Sequence, residues 1–334
     1  MTLPEEFKAL VIRETGDKEF VRSVETKTIG DLPEGDVVVQ VLFSSLNYKD
    51  VLSATGNRGV TRNYPHTPGI DAVGIVADST DDAFTPGDKV IVTSYDLGMN
   101  TSGGFGQYIR VPSGWVVPQP PDLTAREAMV FGTAGFTAAM SVWELVENGM
   151  TPQDGVILVS GATGGVGSIA MSILSKLGYT VTAVNGVVDE TEYLKRIGAA
   201  EVISIEDAAD TSGRPLLKAQ WAGAVDTVGG EILATAVKST NFRGIVTCCG
   251  NVASPDLPLS VYPFILRGVQ LIGIDSQNCP MPIRKKIWEK IASDWKIDWL
   301  EDITTEAAFA ELDDRIERML QGKHVGRTII NMTG

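Results

Sequence analysis

The sequence predicts an α/β fold: a doubly wound parallel sheet carried in a chain whose first third is mainly β. Three observations carry this. The stretch Gly161-Ala162-Thr163-Gly164-Gly165-Val166-Gly167 joins a short apolar run, Val156 to Ser160, to a helical pattern. From residue 156 onward, six apolar strand-like runs alternate with helix-like segments, the order expected of parallel strands covered on both faces. The first 120 residues instead hold short alternating runs broken by Pro and Gly, a pattern of antiparallel sheet or barrel.

In chain order, Val37 to Leu42, Ala72 to Val76 and Lys89 to Val92 read as strands, separated by Pro33, Gly35, Pro68-Gly69 and Pro86-Gly87. Val117-Pro118-Gln119-Pro120-Pro121 is stiff and extended, suiting a connection into the helices of 124–149. After the glycine turn, Val166, Ile169, Ala170, Ile173, Leu174 and Leu177 fall on one helical face, and Gly178 is placed to end it. The remaining runs lie at 180–184, 201–205, 224–228, 244–249 and 269–274. Asp189 followed by Glu192 marks a helix start, closed by Gly198. The C-terminal stretch opens helical and Trp-rich and ends in a strand, 326–330, expected to return to the first domain. The expected division is therefore 1–124 plus 276–334 as one domain and 125–275 as an inserted second, with chemistry in the cleft between them.

With 334 residues and 43% hydrophobic content the chain buries a large core. A formal charge of -14 disfavours nucleic acid and anionic membrane without a dense basic patch, and Arg284-Lys285-Lys286 is too short to be one. The N-terminal residues lack a basic and then apolar leader pattern, and no run of about 20 apolar residues occurs. A cytoplasmic location is the expectation. Three cysteines, two of them the adjacent Cys248-Cys249, form no disulfide framework and fit reducing surroundings.

Glycines at 161, 164 and 167 allow a sharp turn, let backbone N–H groups approach a phosphate and let the helix pack on its strand. A second strand ends about 20 residues on, where such folds read the adenosine ribose. A nucleotide site is expected; the competing reading is a tight strand-to-helix connection alone.

Several motifs in order resemble the medium-chain dehydrogenase/reductase superfamily, on its zinc-free quinone oxidoreductase side and within the acrylyl-coenzyme A reductase branch. They are Ser44-Ser45-Leu46-Asn47-Tyr48-Lys49-Asp50, Pro68-Gly69-Ile70-Asp71, Gly132 to Ala138, the glycine turn, Trp221 to Gly229, Pro263 to Val269 and Gly273-Ile274-Asp275-Ser276. The resemblance implies a partly open, GroES-like barrel domain, a Rossmann domain, NADPH as cofactor and reduction of an activated carbon–carbon double bond. Zinc relatives use Cys, His and Glu or Asp at the catalytic metal and a four-cysteine lobe. Here Gly69-Ile70-Asp71 stands where the related pattern has Gly-His-Glu, no cysteine precedes Cys248, and His66 and His324 lack ligand spacing. A metal-free enzyme is expected.

Without a metal, hydrogen bonds must polarise the substrate carbonyl, and Asn47 and Tyr48 are the candidates. The same resemblance sets Tyr48 against the cofactor, Gly161, Thr163, Gly164, Gly165 and Val166 at the pyrophosphate, Asn185, Gly186 and Val187 by the adenosine ribose, and Gly250, Asn251, Ile265 and Ser276 on the nicotinamide side. Thr133 is a candidate for the carboxamide, with helix capping as its competitor. Asp226 and Asp275 sit at strand ends where ligand contact and loop capping compete. Val187 and Glu201 occupy positions where the branch often carries arginines, which weakens the expected preference for NADPH and leaves NADH open. The substrate classes are an enoyl thioester such as acrylyl-coenzyme A, with Arg58, Arg62 and Arg267 as phosphate contacts, or a small quinone. A nucleotide-binding module without turnover is the third reading. The resemblance also implies a homodimer, joined through the run 269–274.

Overall fold

A computed structural model describes residues 3–16, 18–186 and 190–334. The chain divides into two units, Met1–Thr133 with Gln277–Ala292 and Thr304–Gly334, and Ala134–Ser276 with Ser293–Ile303. Residues 125–133 thus belong to the first unit and 293–303 to the second, unlike the boundaries read from sequence.

The first unit opens with a hairpin of β1 (Phe7–Glu14) and β2 (Phe20–Lys27). There follow β3 (Val37–Leu46), α1 (Tyr48–Ala54), β4 (Asp71–Ser79), β5 (Lys89–Thr93), β6 (Tyr108–Val111) and β7 (Val116–Pro118). The alternation in β3 puts Val37, Val39 and Val41 into a core shared with Val76, Val90 and Ile109, the half-buried pattern of an antiparallel strand. α2 (Ala125–Glu147) starts in this unit and is kinked at Gly132, whose φ is 51°. It is long and apolar enough to cross a membrane by length and composition, yet 72% of that stretch is buried within the protein.

In the second unit the elements alternate: β8 (Ile157–Val159), α3 (Gly165–Lys176), β9 (Val181–Asn185), α4 (Thr191–Arg196), β10 (Glu201–Ser204), α5 (Ile205–Ala208), β11 (Trp221–Asp226), α6 (Gly230–Ser239), β12 (Thr240–Cys248), α7 (Tyr262–Arg267) and β13 (Gln270–Gly273). All six strands are parallel, in the order β10-β9-β8-β11-β12-β13, with the order reversing beside β8, where open α/β sheets bind ligands. Ile157, Val159, Val181, Ala183 and Val225 are fully buried, because helices cover both faces.

The chain then forms α8 (Met281–Ala292), β14 (Thr304–Ala308), α9 (Leu312–Leu320) and β15 (Arg327–Asn331). β15 pairs antiparallel with β3, Ile329 opposite Ser45, so the last strand returns to the first unit as expected. The sheet order there is β14-β15-β3-β4-β5-β7, with β6 on β3.

Candidate active site

The glycine turn leaves β8 and enters α3. Gly161 has φ 59°, and a Cβ there would stand 2.2 Å from Thr227 Oγ1; a Cβ on Gly167 would lie 2.3 Å from the Gly161 carbonyl oxygen. Side chains at these two positions are excluded by the protein itself. Gly164 differs: its φ is -78° and its Cβ would meet only the Gly161 oxygen, at 3.3 Å. Gly164 is the N-cap of α3, no side chain among the described residues caps the helix, and its first turn holds no acidic residue. Thr163, Gly164, Gly165 and Val166 are partly exposed. The arrangement fits a phosphate, which takes uncapped N–H groups at the positive end of a helix.

Beneath the turn, Asp226 accepts the Ser160 hydroxyl at 2.7 Å and the Gly229 N–H at 2.8 Å. Thr227 N–H in turn donates to Ser160 Oγ at 2.9 Å. Burial raises the Asp226 pKa. This aspartate braces the loop, which decides between the two roles left open for it. At the carboxyl ends of β12 and β13, Cys248, Cys249, Gly250, Asn251, Gly273, Ile274 and Asp275 line an open cavity of about 620 Å³. Cys249 Sγ donates to the Asp226 carbonyl at 3.4 Å, and burial pushes its pKa up to about 12, so it stands as a neutral thiol.

Gly250 and Asn251 lie in that cavity wall. Ile265 is 68% exposed on α7, and Ser276 accepts the Thr137 hydroxyl at 2.7 Å. Asn185 ends β9, followed by Gly186; Val187 lies outside the described residues. Glu201 is a correction. It opens β10 opposite Thr182, whereas Ser204 is the residue opposite Asn185, so Glu201 stands three residues, about 10 Å, back along the strand from the level of Asn185.

In the first unit the site residues gather round a buried carboxylate. Asp71 Oδ2 accepts Ser45 Oγ at 2.5 Å and Asn47 Nδ2 at 2.8 Å. Thr133 donates its N–H at 2.9 Å and its hydroxyl at 2.6 Å to Asp71 Oδ1. Asp50, three residues after Asn47, accepts the N–H groups of Asn47, Ile70 and Gly69 at 2.8, 2.8 and 3.1 Å. Burial, with the Asp71 charge beside it, pushes Asp50 up to about 7. Arg327, on β15, donates to the Val130 carbonyl at 2.8 Å and to Asn47 Oδ1 at 3.2 Å. The kink is part of this cluster: a Cβ on Gly132 would lie 2.5 Å from both Asp71 Oδ2 and Ser45 Oγ.

Asn47 is a second correction, since it is 9% exposed and its amide hydrogens go to Asp71 and the Ser45 carbonyl while its oxygen accepts from Arg327. It is engaged within the protein. Tyr48, next in sequence, is 57% exposed, which removes its reading as a core aromatic. Asp50, Asp71 and Arg327 are the residues that reading for catalytic types passed over. Two proposed phosphate contacts are also corrected. Arg267 donates to the carbonyls of Lys238, Thr240 and Leu217, and Arg58 is held by Glu14 at 2.6 Å and lies over the Tyr64 ring. Arg62 is exposed.

His66 Nε2 pairs with the Gly98 carbonyl at 2.9 Å and His324 Nε2 with that of Gly326 at 3.0 Å. Burial lowers the pKa of both, His324 to about 4. Among the described residues no three His, Cys, Asp or Glu side chains are grouped to hold a metal ion.

A doubly wound sheet with an uncapped glycine turn, in a chain whose other unit is a seven-stranded mainly antiparallel sheet, defines an oxidoreductase of the two-domain dehydrogenase type. Residues 33–121 match the family model described as alcohol dehydrogenase GroES-like domain, and residues 165–293 the one described as zinc-binding dehydrogenase. The chain belongs to the medium-chain dehydrogenase/reductase superfamily. The putative quinone oxidoreductase YhfP of Bacillus subtilis is 46% identical over 98% of this chain and 99% of its own; the crystal structure of Bacillus subtilis yhfP with NAD bound matches with a TM-score of 0.96 at 45% identity, covering 98% and 100%. The acrylyl-CoA reductase AcuI of Ruegeria pomeroyi is 41% identical over 98% and 99%. The yhdH oxidoreductase of Salmonella enterica, solved in complex with NADP, matches with a TM-score of 0.95 at 40% identity over 98% and 100%.

Proposed function

We propose that the chain reduces the activated carbon–carbon double bond of an enoyl thioester such as acrylyl-coenzyme A, without a metal. The observation that supports this most is whole-length likeness to an acrylyl-CoA reductase, joined to an exposed Tyr48 seated on a rigid buried cluster. A nicotinamide dinucleotide supplies the hydride. The N–H groups at the start of α3 hold its pyrophosphate, Asn185 and Gly186 face the ribose, and Gly250 and Asn251 line the nicotinamide side. Thr133 gives its hydroxyl proton to Asp71, so toward a carboxamide it offers an acceptor.

Tyr48 donates a hydrogen bond to the thioester carbonyl, stabilising the negative charge that develops on that oxygen as hydride reaches the β carbon. The enolate so formed takes a proton from solvent water at the α carbon. Asn47 is a positioning residue: with both amide hydrogens engaged, it fixes the start of α1, and hence Tyr48. Of the three arginines weighed for coenzyme A phosphates, Arg62 remains. Reduction of small quinones is the second reading, supported by likeness to YhfP. Oxidation of reduced cofactor with acrylyl-coenzyme A, with a simple quinone and with no acceptor separates these readings, and turnover with neither acceptor leaves the binding-module reading.

A homodimer belongs to the same proposal. β13 ends the sheet, and Val261, Tyr262, Ile265 and Leu266 beside it are exposed, a strand edge and apolar surface suited to pairing with a second copy. Light scattering at micromolar concentration tests it, and a monomer mass rejects it. Three free cysteines support a reducing compartment, the cytosol.

A further inference from the structure

A second cavity, of about 260 Å³, opens in the second unit between the loop 209–220 after α5, one face of α6 and the residues just before α7. It shares no lining residue with the cavity at the ends of β12 and β13. α6 turns Ile232, Leu233, Ala236 and Val237 into the core, and Lys238 follows them there at 6% exposure, where a lysine has to find acceptors for its charge. Its ammonium carries three N–H groups and has one partner among the described residues, Asp210 Oδ2 at 3.4 Å. Two donors are left over in the cavity wall. Asp210 is held where it stands, because its other oxygen accepts the Ser212 N–H at 3.2 Å and its own N–H donates to Thr235 Oγ1 at 2.8 Å.

The opposite charge stands at the other end of the same helix face. Glu231 lies seven residues before Lys238, two turns and about 10 Å along the axis, and both line the cavity. Glu231 is exposed and has no ion pair among the described residues, and the same holds for Arg214 on the loop, which also lines it. An anion entering here meets Lys238 but also faces Glu231, whereas a cation meets Glu231 but faces Lys238 and Arg214. A molecule carrying both charges on a short chain answers both ends. Pro215 and Pro258 line the same cavity and give the methylene stem between the charges rigid, apolar walls. The volume is below that of cavities holding drug-sized ligands, which limits the occupant to a small molecule.

We infer that this cavity is a second ligand site, taking a small ω-amino carboxylate with its carboxylate on Lys238 and its ammonium on Glu231. It stands apart from the cofactor and substrate readings. The test is calorimetric titration of the full chain with ε-aminocaproate, glycine, caproate and hexylamine. ε-Aminocaproate is expected to bind saturably, and caproate and hexylamine each at least about tenfold more weakly, one charge-assisted contact's worth. Glycine, whose charges are too close together to reach both ends, should be weaker by as much. Glu231→Gln, a change at an exposed position, should bring ε-aminocaproate down to the level of caproate, while Lys238→Met removes the binding of both. Should Lys238→Met fail to fold, Glu231→Gln alone decides. Equal affinity for the doubly and singly charged ligands, no binding by any of them, or unchanged affinity in Glu231→Gln overturns the inference. So does competition with NADH, which would put the ligand in the cavity at β12 and β13 instead.

Discussion

The glycine turn at 161–167 and the cluster around Asp71 both hold backbone where a ligand is to be met, and they do so by opposite means. The turn works by subtraction: side chains are absent at Gly161 and Gly167 because Thr227 and a carbonyl fill the space, and N–H groups are left uncapped at α3. The cluster works by addition. Two carboxylates, one guanidinium, an amide and the Ser45 hydroxyl are buried together beside the half-buried Thr133, and every donor aimed at Asp71 fixes a different segment: β3 through Ser45, the start of α1 through Asn47, and the kink of α2 through Thr133. Where the turn leaves room, as at Gly164, an added side chain costs ligand and spares the fold, whereas a site made by buried charge loses the fold first.

The largest expected effect is at Asp71. Asp71→Ala takes one acceptor each from the Ser45 hydroxyl, the Asn47 amide and the Thr133 N–H and hydroxyl, and leaves Arg327 with Asp50 as the remaining buried charge near it. Removing one member of a buried charged network costs about 3–5 kcal/mol, to be read as a drop in the urea midpoint. A loss below about 1 kcal/mol would mean that the cluster is not what holds these three segments.

Asp50 gives the same region a pH signature. Its folded pKa, about 7, lies above the carboxyl's usual value because burial and Asp71 disfavour its charge. A raised folded pKa contributes stability that is fully present below the unfolded value and is lost as pH rises through the folded one. The window is therefore about pH 4 to 7, and the loss across it is roughly 2–4 kcal/mol. Asp50→Asn should be less stable throughout, since an amide meets three backbone donors with one oxygen, and should lack this slope. Equal slopes in both proteins across the window would remove Asp50 as its source.

The contrast also explains what could be read in advance. The turn was legible because spacing between glycines, an apolar strand before and a helical face after are properties of neighbouring residues. The parallel sheet followed from the alternation, and the return of the last strand from its apolar run. The cluster was not legible because its members come from four separate stretches. Signals existed: Asn47 and Asp50 have the spacing of a helix start, and Arg327 opens a strand carrying Ile329 and Ile330, a charge that burial would force to find an acid. Reading Asn47 as catalytic ranked residue type above that spacing. Glu201 failed for another reason. Counting from the glycine turn gives the strand but not the register, and β10 pairs so that its fourth residue, not its first, stands beside Asn185.

Gly164→Val breaks the other half of the comparison. Its backbone φ of -78° suits a branched residue and its Cβ has room apart from one contact at 3.3 Å, so stability should change by less than about 1 kcal/mol. The side chain instead enters the space that the phosphate needs, and dinucleotide affinity should fall by about a hundredfold or more, equal to ~2.7 kcal/mol. Calorimetry on the folded variant checks this. Unchanged affinity would mean that the turn is only a tight connection.

The smallest effect is expected at Tyr48, beside the buried cluster. The side chain is more than half exposed at 57%, while its backbone begins a helix whose start Asn47 and Asp50 hold rigidly. Tyr48→Phe removes one oxygen from a surface group and touches none of the buried donors, so unfolding should be unchanged within about 0.5 kcal/mol. One hydrogen bond to an oxygen that gains charge in the transition state is worth about 1.5–3 kcal/mol, so kcat with acrylyl-coenzyme A should fall roughly tenfold to a hundredfold. The loss should lie in kcat more than in KM, because the bond strengthens only as charge develops. A rise in KM at constant kcat would make Tyr48 a binding contact for substrate or cofactor, and leave the polarisation of the carbonyl to another group.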